Sequence, residues 1–574
     1  MSGAKRDYLV DGRLLPLSGV ALIIGAVSTM AAVVLLDLIR LFTNLFYYQT
    51  LSLAERSPAH HALGAWAIAA PAIGGLLVGL IARYGSDKIR GHGIPEAMEA
   101  ILFGQSRMSP KVALLKPLSS GIVIGSGGPF GAEGPIIMTG GSLGSLLAQY
   151  LHLTAAERKT LLVAGACAGM TAIFGTPVAA LLLAVELLLF ELRPRSLLPV
   201  ALACAAAGFL RPLFFPAGPL FPLSTPAVSI AALGSCVVAG LLSGALAALL
   251  TLALYRTEDG FAKLPLHWMW WPAIGGLAVG IGGWLEPRAL GVGYDVIGDL
   301  LHNRLALAVV LALLAVKAVI WVAALGSGTS GGVLAPLLML GAGLGVALAP
   351  ILPGGPTELW ALVCMAGVLG SVLGAPITAI VFAFGLTGDG AALLPLMLTT
   401  AVACGVTALT MRRSIMTEKI ARRGLHVHRE YGVDPLERLH VAEVMTREVV
   451  TIDGALPLAE ARRRYFGAAP GHHGYPVLSD GRVAGMLLRR HLHGESDDAR
   501  PCVELAEPLP PEQALREGMS ARHAAGLMAQ LGVSRLPVLG GADGAELVGI
   551  VSLRDLLSGS ESGWREETVR ERLR

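Results

Sequence analysis

Residues 125–136 read GSGGPFGAEGPI, and residues 326–337 read GSGTSGGVLAPL. Gly125, Gly127 and Gly131 of the first stretch align with Gly326, Gly328 and Gly332 of the second, and Pro135 aligns with Pro336, at an offset of 201. Two more echoes keep the same order: GHGIPE from Gly91 with GVGYDV from Gly291, and GTPVAA from Gly175 with GAPITA from Gly374, at offsets of 200 and 199. Three matches in one order at nearly one spacing exceed what 72 glycines would give by abundance, so the chain holds a duplicated half.

The clusters lie among apolar runs. Of 574 residues 54% are hydrophobic and only 15% charged, against about 25% charged in an ordinary soluble domain. Runs at 14–36, 62–81, 228–254 and 305–325 each approach or exceed the ~20 residues a membrane-crossing helix needs, and such runs continue to about Met411. These features predict an all-α polytopic membrane protein, its halves at roughly 14–215 and 225–415. The lead MSGAKRDYLVDGRLLPLSG passes into a long apolar run with no small-residue cleavage pattern, so residues 1–13 read as a short cytoplasmic segment before a retained helix. A net charge of +3 is too small to point to nucleic acid. Arg83, Lys88, Arg90, Arg193, Arg195, Arg412, Arg413, Lys419, Arg422 and Arg423 gather at segment ends, as cytoplasmic loops require. Cys167, Cys204, Cys236, Cys364 and Cys404 sit singly in apolar segments and read as core thiols, with neither disulfide nor zinc implied.

Duplicated membrane halves are characteristic of transporters and channels whose site lies between the repeats and is built from interrupted helices. The Gly and Pro clusters supply the interruptions, which membranes tolerate only where protein or a water-lined path satisfies the backbone. Several helix N-termini pointing at one locus bind an anion without a cationic side chain. Amid them stands a single carboxylate, Glu133. A charge at the centre of a membrane helix costs roughly 2.5–3.5 kcal/mol on insertion scales, so its presence marks function.

GHGIPE at 91–96, GAEGP at 131–135 and GGVLAP at 331–336 together resemble GSGIPE, GREGP and GGxFxP of the CLC family of chloride channels and proton-coupled chloride exchangers. The resemblance covers about residues 14–425 and implies an inverted repeat of broken and tilted helices there. It implies a homodimer in which each subunit holds its own pore between inverted halves, with chloride or a similar anion as cargo. It also implies that Glu133 is the gating glutamate, a tethered anion that leaves its site when protonated. The anion-binding candidates it implies are His92, Gly93, Ile94, Pro95, Gly131, Ala132, Gly134, Pro135, Gly332, Val333, Leu334 and Met416. His92 stands where the family commonly has a pore serine, and Met416 replaces its central tyrosine. His92 can donate a ring N–H to an anion, or it can be a neutral histidine bonded to local backbone. Selectivity among chloride, nitrate and fluoride stays open. The family's internal proton-transfer glutamate falls on Leu187, and another family-typical glutamate on Gly385. The proton-pathway candidates that remain are Glu186 and Glu191, the latter also placed for an interfacial salt bridge with Arg193 and Arg195. The missing acid tilts the expectation towards passive or weakly coupled conduction, with proton-coupled exchange as the alternative.

Beyond Arg412 the charge density rises, and 441–557 alternates short apolar runs with helical patterns, as a soluble α/β domain should. VAEVMTREVVTI with HHGYPVLSDGRVAGMLLRRHL resembles one CBS motif, and LREGMSARHAAGLMAQLGVSRLPVLGGADGAELVGIVSLRDLL resembles a second. The expected layout is a linker at 426–440, copies at 441–495 and 513–558 separated by 496–512, and a charged tail at 559–574. Each copy places YPV or LPV before a turn and a strand ending at Gly485 or Gly549. Ser552 and Asp555 of the second copy are the nucleotide-binding candidates, for an adenine nucleotide held through its ribose, whereas the first copy has Leu488 and His491 there. A purely structural dimer contact, or an aspartate that caps the last helix, is the competing explanation. No cofactor is required. A hard-cation path would need more carboxylates at depth than Glu133 and Glu186, so a CBS-linked cation transporter fits poorly. No metal-ligand cluster, nucleophile–base pair or Walker lysine points to an enzyme.

Overall fold

The computed structural model describes residues 12–425, 427, 435–467, 472–492, 498–510, 513–540 and 546–558. They fall into two compact units, one ending at Glu430 and the other beginning at Tyr431.

The first unit opens on a helix from Leu14 to Tyr48, 35 residues long. At 1.5 Å per residue it is about 50 Å long, more than the ~30 Å of bilayer hydrocarbon, so it crosses tilted or projects beyond the membrane. Among the described residues seven helices are long and apolar enough to span. Beyond this the duplication is visible element by element. Ile94–Leu102, Pro110–Gly125, Glu133–Gln149, Ala155–Phe174, Pro177–Leu183 and Pro194–Leu210 are matched in order by Tyr294–Leu301, Leu307–Gly326, Leu334–Leu348, Thr357–Leu373, Pro376–Thr387 and Leu393–Thr410.

Local sequence sets these boundaries. Thr154 and Glu157 form a reciprocal capping box at 3.2 and 2.7 Å, and Pro177, Pro194 and Pro376 occupy first helical positions, where the missing N–H costs nothing. Ala155–Phe174 and Thr357–Leu373 stop at Gly175 and Gly374, whose φ values of 70° and 69° are left-handed. The two halves meet reciprocally: a Cβ on Gly75 would lie 2.1 Å from the Pro272 carbonyl oxygen, and one on Gly276 would lie 2.2 Å from that of Pro71. Such mutual approach is what a two-fold relation between inverted halves produces.

Two lysines share the symmetry. Lys116 Nζ donates to the carbonyls of Ile89 and Gly91, both at 2.8 Å, and Lys317 Nζ to those of Ala289 and Gly291 at 2.9 and 3.0 Å. Both side chains are fully buried, and their offset of 201 is that of the glycine clusters. Each ties the turn before the first broken helix of its half to the long helix that follows. Lys317→Met strands two buried carbonyls, at a cost of about 1–3 kcal/mol each. The expected outcome is a clearly lower melting midpoint of the detergent-solubilised protein by fluorescence size-exclusion, and an unchanged midpoint contradicts this role.

The second unit holds a four-stranded sheet in sequence order, Ile452–Asp453, Gly474–Ser479, Arg482–Leu488 and Glu507–Pro508, and a two-stranded sheet of Arg535–Gly540 and Glu546–Ser552. The first pair is parallel and the others antiparallel. Both copies carry a register irregularity at the same place, between Val477 and Leu478 and between Val538 and Leu539. The strands run past Gly485 and Gly549 to Leu488 and Ser552, because pairing with the preceding strand continues to Gly474 and Arg535. The glycines at which the sequence pattern ends these strands lie inside them. The helices Leu458–Tyr465 and Ala521–Leu531 cover the sheets with separate apolar cores around Val477 and Val538.

Candidate anion path and its gate

Three backbone breaks, remote in sequence, are stitched together by main-chain hydrogen bonds. Gly91 N donates to Thr329 O at 3.2 Å and Gly331 N to Gly91 O at 3.4 Å, while Gly131 and Gly332 exchange bonds of 3.3 and 3.0 Å. The helix starts at Ile94, Glu133 and Leu334 are thereby gathered, two from one half and one from the other. Gly134 is wedged at the junction: a Cβ there would sit 1.9 Å from the His92 carbonyl oxygen and 3.3 Å from Gly332 Cα.

Glu133 is the first residue of its helix and is fully buried. Tyr294 Oη donates to its Oε1 at 3.4 Å, and the carboxylate faces the backbone N–H groups of Glu133 itself and of Ala335. Among the described residues its Oε2 has no hydrogen-bond partner. The carboxylate thus lies where the positive ends of two helices, one from each half, converge. Tyr294 is not among the residues that the sequence alone singles out. Its signal was in the repeat, since GVGYDV places a phenol at the position that Ile94 holds in GHGIPE.

His92, Gly93, Ile94, Pro95, Gly131, Ala132, Gly134, Pro135, Gly332, Val333, Leu334 and Met416 are all buried. All but Met416 lie on the three stitched segments. His92 is 3% exposed and among the described residues its Nδ1 has no hydrogen-bond partner, so bonding to local backbone does not account for that ring nitrogen. Glu96 accepts from Gly93 N at 2.9 Å and pairs with Lys419 at 2.7 Å, which fastens the helix Ile415–Ala421, and Met416 with it, against Ile94–Leu102. Tyr255 Oη donates to the carbonyl of Ile415, beside Met416.

The two other acids have structural partners. Glu186 lies where the helix after Pro177 widens into a π-turn at Ala184–Leu189. Its carboxylate accepts from Ile377 N at 3.2 Å and Thr378 N at 2.7 Å, capping Pro376–Thr387 of the other half. Glu191 accepts from Ser196 Oγ at 2.6 Å and pairs with Arg193 at 3.7 Å, the interfacial bridge that the sequence offered as one alternative. Leu187 is fully buried, and at Gly385 a side chain would press on Thr176, 2.7 Å away.

In the second unit Asp555 Oδ2 accepts from both Ser552 N and Ser552 Oγ at 2.7 Å. His491 imitates this in the first copy, with its Nδ1 3.4 Å from Leu488 N. Ser552 and Asp555 line a cavity of about 410 Å³ together with Thr446, His472, Ser534 and Arg535.

Residues 74–408 match the family described as voltage gated chloride channel, and residues 441–496 and 506–561 each match a CBS domain. A putative chloride channel protein ClcB-like from Ralstonia nicotianae is 31% identical over 373 residues, which is 63% of this chain and 87% of that protein. The voltage-gated ClC-type chloride channel ClcB of Citrobacter koseri is 31% identical over 356 residues, 60% of this chain and 84% of its own. Among solved structures, a slow cyanobacterial Cl−/H+ antiporter superposes with a TM-score of 0.63 at 21% identity, over 72% of this chain and 98% of its own. A eukaryotic CLC transporter gives 0.57 at 18% identity, over 95% and 98%. At these identities the superpositions bear on the fold.

Proposed function

This chain belongs to the voltage gated chloride channel family, and from that premise we propose that each subunit conducts chloride or a similar anion past Glu133 without obligatory proton coupling. One observation carries the proposal: the Glu133 carboxylate lies at the convergence of two helix N-termini, with Oε2 unpartnered. An ionised carboxylate there holds the place of a transported anion. Protonation removes its charge, and the same N–H groups then attract chloride. His92, with an unpartnered ring nitrogen, donates to the anion further along the path, in place of a hydroxyl. Conduction is uncoupled because the acids that would relay a proton inward are spent elsewhere, Glu186 on a helix cap and Glu191 on Ser196 and Arg193.

Proton-coupled exchange is the second reading, favoured by Glu133 itself, since a buried carboxylate that must be protonated to leave its site can carry that proton. Chloride-loaded liposomes clamped near zero voltage distinguish the two. Chloride efflux without proton movement supports conduction, and proton uptake that scales with efflux and vanishes in Glu133→Gln overturns it.

The subunit works as a homodimer in the cell membrane, with both termini and the CBS pair on the cytoplasmic side and no required cofactor. Ser552 and Asp555, on the wall of the 410 Å³ cavity, hold the ribose of a regulatory adenine nucleotide. Titration of the full-length protein with ATP, ADP and AMP is expected to give binding heat with at least one of them. Silence with all three leaves Asp555 as a helix cap only.

A further inference from the structure

Arg211 follows the helix Pro194–Leu210 and is 5% exposed. Its Nη1 donates to Pro216 O at 2.7 Å and its guanidinium carbon lies 5.9 Å from the centre of the Phe215 ring, while among the described residues its Nε has no partner and no carboxylate pairs with it. A buried guanidinium without a counter-charge is costly, by several kcal/mol, so something must compensate for it. It lines a cavity of about 370 Å³ whose wall also includes Tyr294, the residue that donates to Glu133. The other cations on that wall are accounted for: Arg40 pairs with Asp37 and Glu55 at 3.2 and 3.1 Å, and Arg56 is exposed over the ring of Tyr48. Asp295, also on the wall, is exposed to solvent.

We propose that Arg211 holds a capture site for a small monovalent anion, one step outside the Glu133 site, with Tyr294 on the route between them. The inference rests on the anion conduction proposed above and adds its mouth. Chloride entering the cavity supplies the counter-charge that the guanidinium lacks, and a forked donor set retains it until the Glu133 carboxylate yields. A purely structural arginine is the competing explanation. The guanidinium carbon lies 3.1 Å from where a Cβ on Gly175 would be, at the carboxyl end of Ala155–Phe174, whose dipole would favour a cation.

The two differ in what Arg211→Gln changes. A capture site is expected to show a half-saturating chloride concentration raised about ten-fold on the cavity side, with flux at saturating chloride within about two-fold of wild type. Arg211→Lys keeps the charge and is expected to shift it less. An unchanged half-saturation, or a flux reduced equally at every chloride concentration, overturns the proposal. Should the glutamine variant fail to fold, bromide diffusion into crystals of the wild-type protein decides. An anomalous peak within hydrogen-bond distance of the guanidinium supports the site, and no peak there overturns it. A wild-type protein that carries no chloride refutes the conduction proposal instead, and the bromide result remains a separate readout.

Discussion

Glu133→Gln is expected to raise chloride efflux at neutral pH by about ten-fold and to abolish its dependence on acid. The sign follows from occupancy. On the proposed gating, an ionised carboxylate at the helix N-termini excludes the anion, so wild-type flux is expected to be low where Glu133 is charged and to rise as pH falls and the side chain is protonated. Glutamine is uncharged at every pH and fixes the path in the acid-like state. Removing the charge shifts the population towards open paths, on the order of ten-fold for a bias of about 1.4 kcal/mol. The measurement is efflux from chloride-loaded liposomes between pH 4.5 and 7.5. A variant that keeps the wild-type flux and the wild-type acid response would contradict the assignment of Glu133 as the gate.

Gly134→Ala is expected to reduce flux at least ten-fold and to lower the yield of monodisperse protein. The added methyl would meet the His92 carbonyl oxygen at 1.9 Å, a backbone atom in a segment pinned by the Gly91 bonds to Thr329 and Gly331. It cannot be relieved by rotating a side chain. Overpacking of this kind costs about 1–3 kcal/mol or more, and any relaxation must spread the helix starts that form the site. Gly260→Ala is the control, because nothing lies within 4 Å of a Cβ there. Alanine within the helix Ala232–Ala262 is expected to be neutral or slightly stabilising. Wild-type flux and yield in Gly134→Ala would mean that the three segments are not so tightly joined.

The parts of this arrangement that were legible beforehand share one property, a local signal that repeats. The clusters at Gly91, Gly125 and Gly175 announced broken helices because only glycine and proline break an apolar run at regular positions, and their echoes 199 to 201 residues later announced the second half. Glu133 stood out because a carboxylate in such a setting needs a reason. What stayed hidden depends on partners remote in the chain. Glu186 is a proton-pathway candidate in the sequence, which gives no sign that its carboxylate receives the N–H groups of Ile377 and Thr378, more than 190 residues away. Lys116 and Lys317 are lone cations in apolar helices. They become meaningful once aligned at the glycine offset, when each is found beneath the matching pair of carbonyls. Arg211 resembles an interfacial arginine at a helix end, and only its burial without a carboxylate sets it apart. In the tail, the strands outrun Gly485 and Gly549 because glycine does not end a ladder whose partner strand continues.

Competition between the Glu133 carboxylate and an anion for one place is tested most directly by bromide anomalous diffraction from wild-type and Glu133→Gln crystals at neutral pH. The expected result is a bromide beside the backbone N–H groups of residues 133 and 335 in the variant and none there in the wild type. Equal occupancy of that place in both proteins, or an empty place in both, would contradict it.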